Sequence, residues 1–160
     1  MMKTLVMSFV IAATGLFNTV STGNATQRFA YNTEEDEDAQ IQYVYKVTED
    51  GQYLRHHLKY RCTYDDAHRL LTKEILRWDD ASARYCPAYA LHYAYEEDAV
   101  IVECARWCVE DQAYTDVREK AVYASDAYGL TYQAYEYDAE SGAWQLTHEH
   151  EAGASLLAGR

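Results

Sequence analysis

The feature that most constrains the fold is a recurring turn. Trp78-Asp79-Asp80-Ala81-Ser82-Ala83-Arg84-Tyr85 carries an aromatic ring at each end, seven positions apart (85 − 78 = 7). Trp107 to Tyr114 repeats the ends and the spacing, and Tyr137 to Trp144 does so again. The starts at 78, 107 and 137 lie 29 and 30 residues apart. A weaker copy, Val47-Thr48-Glu49-Asp50-Gly51-Gln52-Tyr53, keeps the polar turn and the closing ring only. A second kind of acidic turn alternates with the first, at Tyr31 to Asp36, Tyr64 to Ala67, Tyr95 to Asp98 and Tyr123 to Asp126. Polar turns thus come about every 14 residues and leave about 8 between them, which suits a strand and is short for a helix. Self-similarity at this period marks stacked supersecondary units. With loops built on Asp, Ser and Gly, the simplest unit is a β-hairpin.

The spacing predicts strands over 39–46, 53–63, 69–78, 85–95, 99–107, 114–123, 129–137 and 144–150. Several alternate as a half-buried strand should. Tyr89, Leu91, Tyr93 and Tyr95 share a face, and Trp144, Leu146, His148 and His150 share another. Ala67, Leu70, Leu71, Ile75 and Trp78 also sit at helical spacing, within a segment of good helix formers. The regular loops and interspersed tyrosines decide for strands. The fold class expected is all-β: an antiparallel meander of about eight strands formed from repeated hairpins, as a twisted sheet or a partly closed barrel.

The first 25 residues read as an export signal. Lys3 precedes the uncharged stretch Thr4 to Phe17, too short for a comfortable bilayer span of about 20 residues. Gly23 and Ala25 fit the small-residue positions before a cut that leaves Thr26 as the mature start. Residues 26–160 are then a single β-rich domain, with no later stretch apolar enough to insert stably as a membrane helix. The full chain has 14 Lys and Arg against 26 Asp and Glu, a net charge of −12. That disfavours nucleic acid as a partner, because binding it needs cations held close to phosphates.

The leader MKTLVMSFVIAATG, the segment YKVTEDGQYLRHHLKY and the YDDAHR and WDD turns resemble a family of small exported proteins from Bacteroidales, the domain-of-unknown-function family numbered 3836. The resemblance covers essentially the whole chain. It implies a Gram-negative host, export past the inner membrane, and a β-rich fold of consecutive hairpins. It supplies no catalytic residues. Glu96-Glu97-Asp98 and Asp65-Asp66-Ala67 stand where Asn-Gly or Asp-Gly would suit a two-residue turn, so longer or less stable turns are expected at both places.

Four cysteines, Cys62, Cys86, Cys104 and Cys108, could bridge in an oxidising compartment. A turn centred on residue 97 pairs positions summing to 194, and 86 + 108 = 194, so Cys86 and Cys108 are the disulfide candidate. No metal or other cofactor is expected. Cys104 and Cys108 are about 13 Å apart along a strand. His148 and His150 have no third ligand, and His56 and His57 point to opposite faces. The acidic run Glu34 to Asp38 reads as a solvated start to the domain.

Catalytic residues are not indicated. Ser125 and Ser141 lack a nucleophile-elbow context, and carboxylates are too abundant to single out a pair. The aromatic residues of the repeat are the candidate ligand-binding set: Trp78, Tyr85, Trp107, Tyr114, Tyr137 and Trp144. Rings at regular spacing form a platform for sugar rings or an extended peptide. They also clamp hairpin ends by cross-strand packing, which each repeat needs in the same way. The functional expectation is a non-enzymatic binding or structural module in the periplasm or outside the cell. Its partner would be a glycan, a peptide or an envelope protein. An envelope hydrolase acting through acidic residues is the competing reading.

Overall fold

The computed structural model describes residues 27–36 and 38–153. The predicted leader, 1–25, lies outside the described residues. Nine antiparallel strands follow one another: β1 (Phe29–Asp36), β2 (Ala39–Val47), β3 (Leu54–Tyr64), β4 (Leu70–Asp79), β5 (Arg84–Tyr95), β6 (Ala99–Cys108), β7 (Ala113–Ser125), β8 (Gly129–Asp138) and β9 (Ala143–Gly153). Their order in the sheet is the order in the chain. The architecture is therefore the all-β meander of hairpins that the turn spacing indicated. The helical spacing around 66–77 belongs to β4, where Ile75 is buried to 1% exposure and faces Tyr60 and Tyr89 on the neighbouring strands.

The ninth strand is β1. The sequence reading placed an acidic turn at Tyr31 to Asp36, but these residues extend and pair with β2, Tyr31 with Val44 through Asp36 with Ala39. Exposed acids suit a strand at the end of the order, because charge discourages a further strand from adding there.

Contact between strands divides the chain into two compact units. The described part of one is 27–93 with Cys104–Val117. Its β2–β5 strands alternate over stretches interrupted by single inserted residues, and Ala90, on the other face, is also buried. Val44, Leu58, Tyr60, Ile75 and Leu91 are buried on one face, where cross-strand partners stack in rows such as Gln42–Tyr60–Ile75–Tyr89. Tyr43, Lys59, Leu76 and Trp78 belong to the other face. The described part of the second unit is Ala94–Glu103 with 118–153. Val100, Val102, Ala121, Tyr123 and Leu130 are buried there, and Tyr123 packs on its partner Tyr132 with ring centroids 5.1 Å apart.

The register shifts once in each of four hairpins, inserting His57, Leu71, Ala88 and Thr147. In every case the later strand of the pair carries the extra residue. A bulge of this kind bends its strand and strengthens the local twist. The one at Thr147 corrects an expectation. His148 pairs with Ala134 while Leu146 pairs with Tyr135, so the bulge parts Trp144 and Leu146 from His148 and His150.

Two of the three ring-flanked turns are closed by aspartate. Asp79 accepts from the Ala81 and Ser82 N–H groups and from the Ser82 hydroxyl. Asp138 accepts from Glu140 N–H, the Ser141 hydroxyl and the Gln145 amide at 3.0, 2.7 and 2.8 Å. These bonds favour the ionised form: the serine hydroxyls above all hold both carboxyls below the usual carboxylate range. Asp65 plays the same part in a longer turn, accepting from Ala67 and Arg69 N–H and from the Arg69 guanidinium at 2.7 Å. The turn at Glu96 is not lengthened: its N–H donates to the Ala99 carbonyl at 2.9 Å, with only Glu97 and Asp98 between.

The last loop residue of each ring-flanked turn is left-handed, at Ala83 (φ 50), Gln112 (φ 50) and Gly142 (φ 66). Only the third copy has the residue that adopts this conformation without strain. Ala83→Gly is expected to raise stability by about 0.5–1 kcal/mol in denaturant titrations, whereas Gln112→Gly would also lose the bond its amide donates to the Val109 carbonyl. Gly142→Ala should lose a similar amount. Its new Cβ would meet only the Tyr137 hydroxyl at 3.9 Å, so backbone strain alone sets that loss.

Candidate functional site, an aromatic shelf

The three repeated ring pairs meet at the mouths of their hairpins. Trp78 pairs with Tyr85 and Tyr137 with Trp144 directly across strands. All three are edge-to-face: Trp78–Tyr85 at 5.0 Å and 71°, Trp107–Tyr114 at 4.9 Å and 72°, Tyr137–Trp144 at 5.4 Å and 64°. That is the geometry the ring quadrupole prefers, worth about 0.5–1.5 kcal/mol beyond area burial. The repeat therefore serves as a clamp: two rings close the base of each loop, and in the first and third copies an aspartate ties it. Trp78 and Trp107 with their partners lie in one compact unit, Tyr137 and Trp144 in the other. Lys120 sits over the Trp144 ring at 4.4 Å and over Tyr135 at 5.3 Å, covering a face of that tryptophan.

Around Trp78 the clamp grows into something larger. Tyr43 and Tyr45 of β2 share a face, two residues apart, and their rings stack at 6.4 Å. His56 of β3 is the cross-strand partner of Tyr45, with centroids 5.3 Å apart. Its ring stacks on Trp78 of β4 at 4.2 Å and 22°. Its Nδ1 lies 2.9 Å from the Tyr85 hydroxyl of β5. Tyr43 closes the circuit on Tyr85 at 5.9 Å. Five rings from four consecutive strands thus form a continuous shelf on the face opposite the buried rows. Polar groups frame it. Trp78 Nε1–H donates to Asp80 at 3.0 Å, Lys59 lies over the Tyr43 ring at 5.4 Å, and Arg61 pairs with Glu74 at 3.1 Å.

Three shelf residues, Tyr43, Tyr45 and His56, were not singled out from the sequence. The Tyr-x-Tyr spacing was a usable signal, since positions i and i+2 share a face of a strand. His56 carried none. Which of two adjacent histidines turns to Trp78 depends on the bulge at His57. His57 itself stacks on Phe29 at 5.7 Å, and burial, with Lys46 and Arg77 nearby, pushes its pKa down.

The predicted Cys86–Cys108 bridge is absent: both carry free thiols. The proposal assumed partners summing to 194. The turn closes instead through Glu96 and Ala99, which sum to 195. One step of register sends one of two facing side chains to the opposite face. Among the described residues no group of three or more His, Cys, Asp or Glu side chains is placed to hold a metal ion.

With the geometry in place, comparison with known proteins is informative. Residues 1–125 match the profile of a family of unknown function, DUF3836. The chain belongs to that family. A crystal structure of a protein with unknown function from Bacteroides fragilis is similar with a TM-score of 0.67 at 18% identity, covering 81% of this chain and 96% of that one. A DUF3836 family protein from Parabacteroides distasonis is similar with a TM-score of 0.53 at 17% identity, covering 61% and 91%. At these identities the likeness concerns the fold alone. No match is found among curated proteins.

Two outcomes follow from the ring geometry. A double-mutant cycle on Trp107→Ala and Tyr114→Ala should return a coupling of about 0.5–1.5 kcal/mol in equilibrium unfolding. Burial pushes the Tyr60, Tyr85 and Tyr114 hydroxyls up to about 12 from 10.0. The folded state thus holds protons that the unfolded state releases. The stability this contributes is complete below pH 10 and is lost as pH rises towards 12. Tyrosinate absorbance followed against pH should show late ionisation coinciding with unfolding.

Proposed function

We propose that this protein is an exported, non-enzymatic binding module that takes a glycan on the shelf of Tyr43, Tyr45, His56, Trp78 and Tyr85. The observation that carries the reading is the continuity of five rings across four strands on the face away from the buried rows. A hairpin clamp needs only its own pair, and Tyr43, Tyr45 and His56 extend the surface well beyond Trp78 and Tyr85. Sugar rings present apolar C–H faces rimmed by hydroxyls. Tyrosine and histidine match both, with flat apolar bodies and polar tips held at low entropic cost. The charge-free stretch after Lys3 supports export, and so action in the periplasm or outside the cell. Family membership fits a Gram-negative host. A hydrolase reading draws less support, because Asp65, Asp79 and Asp138 are committed to their own turns.

The test is a glycan panel screened against the full chain, with both binding and product formation recorded. Binding without turnover is expected, weakened at least tenfold by Tyr43→Ala and by Trp78→Ala with the β-sheet spectrum retained. Turnover abolished by one Asp or Glu substitution would install the hydrolase instead. Binding only to peptides or envelope proteins, or to nothing in the panel, would remove the glycan reading.

A further inference from the structure

Resting on the shelf reading, the geometry points to an acidic glycan as the ligand, one whose sugar carboxylate is paired by Lys59. The chain carries a net charge of −12, yet β3 gathers Lys, Arg and His side chains on the shelf face. Lys59 lies opposite Tyr43, Arg61 opposite Ile41, and His56 opposite Tyr45. Cross-strand partners share a face, so all three project to the side that carries Trp78 and Tyr85.

Their engagements differ. Arg61 is neutralised by Glu74 at 3.1 Å. His56 is committed to the Trp78 stack and the Tyr85 hydroxyl. Lys59 instead stands over a ring, its Nζ 5.4 Å from the Tyr43 centroid. A lysine placed so bridges two tasks. Its stem lies along the aromatic surface on which a sugar ring would rest, and its ammonium stays available at the rim. The other lysines over rings serve elsewhere: Lys73 lies over Tyr60 on the buried-row face at 4.2 Å, and Lys120 caps Trp144 in the second unit.

The negative charge of the whole chain does not forbid an anion here. The screening length is about 8 Å at physiological ionic strength, so the charges that count are those at the shelf. There Asp80 is held by the Trp78 N–H and Glu74 by Arg61. A uronate seated over Tyr43 and Tyr45 would place its carboxylate beside the Lys59 ammonium, forming a charge-assisted hydrogen bond.

The experiment uses the full chain with oligogalacturonate and with the same oligomer as its methyl ester, which keeps the backbone and removes the charge. Calorimetric titration should show the acid form binding at least tenfold tighter than the ester, with that advantage shrinking as salt rises. Lys59→Met should abolish the advantage of the acid form, so that acid and ester bind the variant equally. Lys59→Gln repeats the test should the methionine variant fold poorly. Equal binding of acid and ester, or acid binding unaffected by Lys59→Met, overturns the inference and leaves the shelf reading intact. So does failure of both oligomers alongside binding of a neutral glycan in the panel. Failure of every glycan, neutral and acidic, overturns both.

Discussion

The structure depends on how each hairpin end is closed. A strand pair alone is marginal in water, and a polar loop adds entropy that its few hydrogen bonds must offset. Here the same device is used three times: an edge-to-face ring pair across the strand ends, with a left-handed residue closing the loop. In the first and third copies a serine-bonded aspartate also ties the loop. The device needs an aromatic residue on each side and room for four residues between the strand ends. That requirement explains the seven-residue spacing and its return at 29 and 30 residues.

With the ends fixed, the interior of each hairpin can be irregular. Four later strands each accommodate one extra residue. Each insertion decides which of two neighbouring side chains faces the buried rows. In β3 the insertion at His57 leaves His56 against Trp78 and lets His57 stack on Phe29. The clamp of Trp78 and Tyr85 is extended by three further rings, of which His56 owes its face to the insertion. The shelf is an outgrowth of the framework, and the same tryptophan serves both. Substituting Trp78 therefore tests stability and binding together, whereas Tyr43 and Lys59 lie outside the clamp and separate the two.

Acidic side chains divide into two groups with different work. Asp65, Asp79 and Asp138 are held ionised by hydrogen bonds inside their own turns. Glu34, Glu35 and Asp36 are exposed along β1, where they pair through their backbones with Ile41, Gln40 and Ala39 in that order. The same composition thus shapes loops in one place and charges a terminal strand in another. The solvated start expected at Glu34 to Asp38 fits the exposure of Glu34, Glu35 and Asp36. The backbone beneath them is nonetheless a strand.

What the sequence determined by itself was the succession of hairpins. Turn chemistry and ring spacing are local, so the limits of β2 to β9 could be read within a few residues, and the ring pairs met where their positions predicted. What only the tertiary structure decided was register and face. A single inserted residue leaves the composition of a strand unchanged yet reverses every side chain beyond it. The face shared by Leu146 and His148 failed for that reason, and the Cys86–Cys108 pairing rested on a turn that closes through Glu96 and Ala99 instead. Register hid the shelf too, because Tyr43, His56, Trp78 and Tyr85 sit on four different strands. Only the registers of three successive strand pairs bring their rings together.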